Sequence, residues 1–215
     1  MKSKPITALP PTDARSDPAL LRVRSLTLTR GERVLCRQLE FALDAGQILT
    51  ISGRNGSGKT TLLRACAGLV LPARGTVLFE GCDALRLDSE QRRRMAYLGH
   101  ADGLHPDLLA HEELRFAGLP RATIDTRLEA FGLSAARDLP TRALSSGQRR
   151  RLALARTFAS AAALWILDEP INALDRDGVA AVSRLLGEHA AGGGAALLTT
   201  HQPLPELGGQ TLDLG

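Results

Sequence analysis

Residues 53–60 combine three glycines with a lysine and a threonine, a set of residue types that suits phosphate binding. Glycines let successive backbone N–H groups point at phosphate oxygens, and a following helix adds the partial positive charge of its N-terminus. The apolar run 48–51 and the helix-favouring run 61–65 predict the strand and helix that must flank such a loop. Lys59 is expected to reach the β- and γ-phosphates of a nucleotide, and Thr60 to bind Mg²⁺. The predicted nucleotide-binding residues here are Gly53, Arg54, Asn55, Gly56, Ser57, Gly58, Lys59, Thr60 and Thr61. A glycine-rich turn with an incidental lysine is the alternative.

A second segment places two carboxylates at the end of an apolar run. Residues 164–167 read Leu-Trp-Ile-Leu and are followed by Asp168 and Glu169. Such a run predicts a buried parallel strand, whose carboxyl end emerges at the ligand-binding edge of the sheet. Asp168 is then expected to hold Mg²⁺, and Glu169 to polarise an attacking water. Taken alone, the pattern also fits a solvated strand end, but the loop at 53–60 favours the catalytic interpretation.

The residues between these two segments indicate the class of nucleotide enzyme. Leu144-Ser145-Ser146-Gly147-Gln148, followed by an arginine-rich helical run, resembles the signature loop of the ATP-binding cassette (ABC) family. The pattern departs from the usual one at Ser146, where glycine is commoner. A serine and a glycine at a helix start offer a hydroxyl and N–H donors to an anion. The resemblance implies that Ser145, Gly147 and Gln148 complete the nucleotide site of a second copy, in a head-to-tail dimer enclosing two ATP molecules.

Two further segments resemble elements of the same family. Residues 173–175, Ala-Leu-Asp, are similar to the loop that crosses the dimer interface, and His201, after the run 197–200, is similar to the switch histidine. An imidazole at a catalytic sheet edge can donate a hydrogen bond to the transition state near the γ-phosphate. The resemblance therefore implies an ATP hydrolase in which Glu169, His201 and Lys59 are catalytic and ATP and Mg²⁺ are the cofactors.

Two positions depart from the family pattern. His100, after the run 95–99, stands where the family usually carries a glutamine that contacts Mg²⁺ and the attacking water. An imidazole can bind metal and titrates near neutral pH, so we hypothesise that His100 couples cofactor geometry to membrane-partner contacts with some pH sensitivity. Arg30 stands where the family commonly has an aromatic side chain that stacks on adenine. A guanidinium can stack on a base in the same way, and a solvated charge at a strand end is an equally good interpretation.

Within the family, the chain resembles the ATP-binding subunits of the haem exporters of cytochrome c maturation. The segments that carry this resemblance are 97–100, 164–170, 173–179 and 198–204. It implies a peripheral ATPase at the cytoplasmic face of the inner membrane, paired with integral membrane subunits similar to CcmB and CcmC. Its ATP hydrolysis would power haem export or the release of a haem-carrying chaperone. The alternative is the ATPase of an ABC transporter for another substrate; a soluble ABC ATPase acting on DNA or ribosomes and an ordinary P-loop kinase or GTPase fit less well.

The composition is that of a globular chain with a modest excess of positive charge. The 215 residues have 44% apolar content and a formal net charge of +4. No apolar stretch approaches the roughly 18 residues that a membrane span needs, so the chain is not expected to form a membrane pathway itself. The arginine runs 92–94 and 149–151 are expected to be solvated helix faces, which would also suit an anionic membrane surface. A nucleic-acid partner is not expected, because aromatic content is only 3% and no binding motif is present.

The three cysteines, Cys36, Cys66 and Cys82, are too few and too widely spaced to indicate a disulfide framework or a zinc site. We expect a reducing compartment, and we expect no haem ligand because the Cys-x-x-Cys-His spacing is absent. Residues 1–19 mix charges with prolines and have no apolar core, which predicts a disordered tail and not a signal peptide.

These segments require an α/β fold to bring them together. The strands expected from alternation are 21–28, 34–43 and 76–79, all antiparallel, and those expected from apolar runs are 47–51, 164–167 and 195–199, all buried and parallel. Residues 111–142 have a helical pattern. The resemblance implies a single nucleotide-binding domain over 20–215, with the P-loop NTPase fold of the ABC ATPase type. In it, an antiparallel β subdomain joins a mixed sheet core, and a helical subdomain is inserted at about 100–155.

Overall fold

The computed structural model describes residues 19–172, 174–201 and 209–215. Predictions that concern Ala173, residues 202–208 and residues 1–18 lie outside this part of the chain. The predicted tail therefore falls outside it except for Ala19, which is buried. The first described strand begins two residues later, at Leu21.

Nine strands, six α-helices and three short 3₁₀ turns make up the regular structure of the described residues. The strands are β1 (Leu21–Arg30), β2 (Arg33–Leu43), β3 (Ile48–Ser52), β4 (Arg74–Phe79), β5 (Cys82–Asp83), β6 (Met95–Leu98), β7 (Leu164–Asp168), β8 (Ala195–Thr199) and β9 (Gln210–Asp213). The helices are α1 (Lys59–Cys66), α2 (Ser89–Arg93), α3 (Ala110–Phe116), α4 (Arg121–Ala130), α5 (Ser146–Thr157) and α6 (Arg176–Ala191). Within these residues, no helix is long and apolar enough to cross a lipid bilayer.

The strands form two sheets of different type. Strands β1, β2, β4 and β5 make an antiparallel sheet in the order β2-β1-β4-β5. The other five make a parallel sheet in the order β6-β7-β8-β3-β9. The six strands expected from alternation and from apolar runs are therefore confirmed in position and in direction. Two four-residue strands, β6 and β9, were not predicted, and they are the two edges of the parallel sheet.

Successive side chains of the parallel strands point to opposite faces, and each face belongs to a different apolar cluster. Leu164 and Ile166 of β7 pack into the cluster that contains the antiparallel sheet and α1. Trp165 and Leu167 of the same strand pack into the cluster that contains α3 to α6. Covering on both faces explains why β7 and β8 are apolar at nearly every position and fully buried.

The region expected to be helical, 111–142, contains α3, α4 and two short 3₁₀ turns. Its apolar side chains, such as Leu114 and Leu128, share one cluster with α5 and with the outer face of the parallel sheet. The helices are thus fixed to the sheet by a continuous core. The interpretation of about 100–155 as an inserted subdomain remains a prediction.

Candidate functional site

One edge of the parallel sheet gathers the residues that the sequence singled out. Four strands that are neighbours in the sheet, β6, β7, β8 and β3, end at this edge. The chain beyond them carries His100, Glu169, His201 and the loop that starts at Gly53. In an open α/β sheet, ligands bind outside the carboxyl ends of the strands, where the strand order departs from the chain order. The topology therefore explains why segments far apart in the sequence meet here.

The loop between β3 and α1 depends on glycine at particular positions. Gly58 has a φ of +108°, and a Cβ atom at this position would lie 2.9 Å from Cβ of Leu35. Gly53 has a φ of +141°, and a Cβ there would lie 2.8 Å from Oγ of Ser57. A side chain at either position would combine backbone strain with a collision. The tight turn that directs N–H groups toward a phosphate is therefore available only to glycine at both positions.

Lys59, the first residue of α1, has its ammonium group fixed in the loop. The side chain is 8% exposed. Its Nζ donates hydrogen bonds to the carbonyl oxygens of Gly53, at 2.6 Å, and Arg54, at 3.2 Å. The positive charge is thus held next to the N-terminus of α1, where an anion is stabilised by the same end of the helix dipole.

A network of hydroxyl groups ties the carboxylates to their neighbours. The Thr60 hydroxyl donates to Oδ2 of Asp168 at 2.9 Å, and the Thr199 hydroxyl donates to Oδ1 of Asp168 at 2.8 Å. Oγ1 of Thr199 also accepts the backbone N–H of Glu169 at 2.9 Å. Thr199 is fully buried, and sequence analysis treated it only as the end of a strand. Its hydroxyl links two adjacent strand ends and sets the position of both acidic residues.

Glu169 occupies an unusual backbone conformation at the centre of the site. Its φ is +51°, in the left-handed region, which costs a residue with a Cβ about 1–2 kcal/mol. One carboxylate oxygen, Oε1, lies 3.1 Å from Nε2 of His201. The other, Oε2, is buried and has no hydrogen-bond partner among the described residues. Strained residues of this kind occur at functional sites, where the surrounding structure holds them in place. The arrangement leaves Oε2 with acceptor capacity for a water molecule.

These side chains surround one cavity of about 460 Å³. Its lining includes most of the predicted site residues, namely Arg30, Asn55, Gly56, Gly58, Lys59, Thr60, Thr61, His100, Asp168, Glu169 and His201. Leu35 and Asn172 also line it, and sequence analysis missed both. Arg30 and Leu35 come from the hairpin of the antiparallel sheet, so the cavity lies where the two sheets meet. Gly53, Arg54 and Ser57 belong to the same loop without lining the cavity.

The donor set suits Mg²⁺ at one point of this cavity. The Thr60 hydroxyl and the Asp168 carboxylate touch each other, and both are hard oxygen ligands of the kind that Mg²⁺ prefers. Among the described residues there is no cluster of three or more His, Cys, Asp or Glu side chains that would hold a metal by itself. Mg²⁺ needs no such cage, because it is commonly held by one or two protein oxygens with phosphate and water. His100 lines the same cavity and offers a nitrogen donor.

The segment containing Ser145, Gly147 and Gln148 does not line this cavity. Ser145 is the N-cap of α5, where its Oγ accepts the backbone N–H of Gln148 at 3.2 Å. The Gln148 side chain accepts the Ser145 N–H in return, at 2.9 Å. These two hydrogen bonds form a capping box. Ser145 and Ser146 are exposed, and the first turn of the helix contains no acidic residue. The segment thus presents a positive helix end to the outside of the chain.

Asp175, in the segment that resembles the interface loop, caps the next helix. Its Oδ1 accepts the backbone N–H of Gly178 at 3.0 Å, and its Oδ2 pairs with Nη2 of Arg151 at 2.6 Å. The hydrogen bond from Gly178 and the nearby Arg151 charge outweigh desolvation and lower the pKa of Asp175. An ion pair therefore connects the middle of α5 to the residue that caps α6.

The arginine run 149–151 is not the solvated face that the sequence suggested. Arg150 is only 6% exposed, and Arg149 and Arg151 are partly buried. Nη1 of Arg149 donates to the carbonyl of Leu144 at 2.6 Å. The prediction was wrong because three consecutive helical residues point in directions about 100° apart, and α5 packs against the sheet on the side of Arg150. The run 92–94, in contrast, is exposed as expected.

None of the three cysteines lines the cavity. Cys36 and Cys66 are buried in the cluster beneath the antiparallel sheet, and Cys82 is exposed. Burial raises the pKa of the Cys36 thiol and of the Cys66 thiol, so neither has thiolate character at neutral pH. Cys36 and Cys66 therefore act as small apolar core residues.

Comparisons with known proteins agree with this geometry. Residues 36–172 match the sequence pattern of the family described as ABC transporter. The chain is 45% identical over 197 residues to the cytochrome c biogenesis ATP-binding export protein CcmA of Nitrosococcus oceani, with 90% of this chain and 91% of that protein covered. A solved ATP-binding subunit of an ABC transporter superposes with a TM-score of 0.77 at 28% identity, covering 85% of this chain and 79% of that one. The cbiO1 protein of Clostridium perfringens, part of the ABC transporter complex cbiONQ, superposes with a TM-score of 0.68 at 26% identity, covering 86% and 79%.

Proposed function

The chain belongs to the ABC transporter family, and from this premise we propose that it hydrolyses ATP to power an export step in cytochrome c biogenesis. The predicted fold class and the family resemblance are both confirmed. The similarity of this chain to a cytochrome c biogenesis ATP-binding export protein, over most of both chains, supports the export assignment. The catalytic assignment rests on one observation above all: Lys59, Thr60, Asp168, Glu169 and His201 line a single cavity.

The glycine loop and Lys59 would bind the phosphates of ATP. The N–H groups of the loop and the N-terminus of α1 favour negative charge at this point. Lys59 is buried beside the loop, so its charge is little screened by solvent. Thr60 and Asp168 would hold Mg²⁺, which when bound neutralises charge on the phosphate oxygens. Arg30 and Leu35, which line the cavity, are available for contact with the base.

Glu169 would orient the water that attacks the γ-phosphate. Its Oε2 is buried and has no hydrogen-bond partner among the described residues, while Oε1 faces His201. A carboxylate in this state can accept a proton from water and direct the oxygen in line with the bond that breaks. The half-exposed imidazole of His201 would donate a hydrogen bond to the γ-phosphate as negative charge develops there. Orientation and electrostatic stabilisation are the main sources of catalysis in phosphoryl transfer.

A second copy of the chain would complete each site. The exposed N-terminus of α5, with Ser145, Gly147 and Gln148, has N–H groups suited to an anion and lies outside its own cavity. In a head-to-tail dimer this segment would contact the phosphates bound by the partner. Binding of ATP would close the dimer and loss of phosphate would reopen it. This movement would be passed to integral membrane subunits of the CcmB or CcmC type, with the chain peripheral at the cytoplasmic face of the inner membrane.

The exported species is proposed to be haem, with the release of a haem-carrying chaperone as the other possible outcome of turnover. Gene deletion in the native host, followed by return of the wild-type or the Glu169→Gln gene, tests this. Wild type should restore membrane proteins that stain for covalent haem, and the variant should not, although both are present at equal amounts. If c-type cytochromes persist in the deletion strain, the cytochrome c assignment is wrong. A purified complex with ATPase activity would then still support a transporter for another substrate.

A further inference from the structure

Arg150 is the buried cation that connects α5 to the catalytic edge of the sheet. Its Nη2 donates hydrogen bonds to the carbonyl oxygens of Asp168, at 2.6 Å, and Glu169, at 2.8 Å. Its Nη1 donates to the carbonyl of Gly99 at 2.9 Å and lies 3.3 Å from Oδ1 of Asp102. One guanidinium thus holds the backbone at the carboxyl ends of two adjacent strands, β6 and β7.

The residues held by Arg150 are those whose positions matter for hydrolysis. Glu169 has a φ of +51°, so its backbone does not rest in a broad energy minimum. Its N–H is fixed by Thr199 and its carbonyl by Arg150. Gly99 directly precedes His100, which lines the same cavity. The guanidinium therefore fixes both the strained residue and the start of the loop that carries His100.

Arg150 itself is held in a rigid frame. It lies in the first half of α5, whose start is fixed by the capping box of Ser145 and Gln148. Burial of a guanidinium is costly unless its N–H groups are paired. Both terminal nitrogens of Arg150 are paired, and its Nε is buried without a partner among the described residues. A shift of the α5 N-terminus would therefore be passed directly to the carbonyl groups that Arg150 holds.

We propose that Arg150 is a positioning residue for ATP hydrolysis: it sets the backbone of Glu169 and of the His100 loop relative to the Ser145–Gln148 segment. This inference rests on the proposed ATPase function and adds a residue to it. Arg150 does not line the cavity and is not expected to touch the nucleotide. Its loss should therefore reduce the rate of hydrolysis far more than the affinity for ATP.

The test compares Arg150→Lys with Arg149→Lys in the full chain. A lysine keeps the charge, but a single ammonium lacks the planar fork that spans the carbonyls on both strands. Arg149 is the matched control, because it belongs to the same run and donates to the carbonyl of Leu144, just before its own helix, and not to a strand end. Turnover is measured against ATP concentration, ATP binding with a fluorescent ATP analogue, and folding by thermal unfolding. Asp102→Asn, which removes the carboxylate partner of Arg150 near the surface, is a second variant that should fold even if Arg150→Lys does not.

Misplacement of a catalytic group by about 1 Å can reduce a rate on the order of 100-fold, so we expect kcat of Arg150→Lys to fall at least about tenfold. Its affinity for ATP should stay within about twofold of wild type, and Arg149→Lys should match wild type in both. Asp102→Asn should lower kcat by a smaller factor without a change in affinity. The inference is overturned if kcat of Arg150→Lys is unchanged, or if its kcat and its affinity for ATP fall by the same factor. If Arg150→Lys does not fold, an unchanged kcat of Asp102→Asn overturns the inference. If the wild-type chain shows no ATP turnover, or only turnover that Glu169→Gln retains, the proposed ATPase function fails instead.

Discussion

Nε2 of His201 lies 3.1 Å from Oε1 of Glu169, across the ends of two adjacent parallel strands. The contact occupies one oxygen of the carboxylate. The other oxygen, Oε2, has no hydrogen-bond partner among the described residues and is free to accept one. A residue with φ of +51° holds this geometry only because its neighbours fix it. The site is therefore organised around the backbone and carboxylate of Glu169, and each prediction below perturbs one part of that organisation.

Thr199→Val should uncouple the two acidic residues. The substitution keeps the shape of the side chain and removes the hydroxyl that bonds to Asp168 and to the N–H of Glu169. A buried donor or acceptor left without a partner costs about 1–3 kcal/mol, so the free energy of unfolding should fall by that amount. Turnover should fall at least about tenfold, while Thr199→Ser, which keeps the hydroxyl, should retain most of it. Wild-type turnover in the valine variant would show that the hydroxyl does not position these residues.

Gly58→Ala should strongly weaken nucleotide binding. A Cβ at Gly58 would lie 2.9 Å from Cβ of Leu35, and the φ of +108° disfavours any side chain. The loop must therefore shift away from the geometry that directs its N–H groups inward. Isothermal titration with ATP should show at least about a tenfold loss of affinity. The matched control is Gly187→Ala within α6, where a Cβ meets nothing within 4 Å. It should bind ATP normally and gain up to about 1 kcal/mol in stability, because alanine favours the helix.

His189 should make stability depend on pH. Its ring stacks on Trp165, with centroids 3.7 Å apart, and its Nε2 lies 3.2 Å from the carbonyl of Ala195. Burial lowers the pKa of His189, so the folded state binds a proton less readily than the unfolded state. The stability from neutral His189 is present above the ordinary histidine pKa of about 6.5 and is lost as pH falls through the lower folded value.

Urea unfolding of wild type and His189→Phe, followed by the fluorescence of Trp165, checks this dependence. Phenylalanine keeps an aromatic ring beside Trp165 and does not titrate. The free energy of unfolding of wild type minus that of the variant should be larger at about pH 8 than at about pH 5. If this difference in free energy is the same at both pH values, or is larger at the lower pH, His189 is not the source of the pH dependence.

His100→Ala should change how turnover depends on Mg²⁺. His100 lines the same cavity as Thr60 and Asp168. If its imidazole acts on cofactor geometry, its loss should raise the Mg²⁺ concentration for half-maximal turnover about tenfold and weaken stimulation by membrane partners. His100→Gln, which supplies the side chain that the family usually carries, should restore most of the wild-type response. The hypothesis fails if Mg²⁺-dependent turnover and partner stimulation of the alanine variant equal those of wild type.

The central strands and the segments that line the cavity were predictable because their signals are local. The glycine loop and the run that ends at Asp168 and Glu169 each show their residue types within a few positions. Strands β7 and β8 are covered on both faces, so their apolar runs are distinctive. In contrast, β6 and β9 are short strands at the sheet edges, where pairing with one neighbour decides the structure. Their four-residue sequences carry too little pattern to be recognised.

The parts of the site that were missed depend on tertiary packing. Arg150 looks like its neighbours in the sequence, and only the orientation of α5 against the sheet makes it the buried member of the run. Thr199 ends an apolar strand, and its role follows from the strand beside it. Leu35 approaches the glycine loop from the other sheet. None of these contacts has a signal at short range, because each joins residues from different elements.

Purification of the Glu169→Gln chain from membranes of its native host, with ATP and Mg²⁺ present, tests the central claim most directly. The variant should bind ATP without hydrolysing it, so the closed dimer and its membrane subunits should remain together through gentle solubilisation. Mass spectrometry should identify membrane subunits of cytochrome c biogenesis, with smaller amounts recovered by wild type in ADP. Recovery of a different permease would contradict the cytochrome c assignment, and recovery of soluble proteins alone would contradict transport itself.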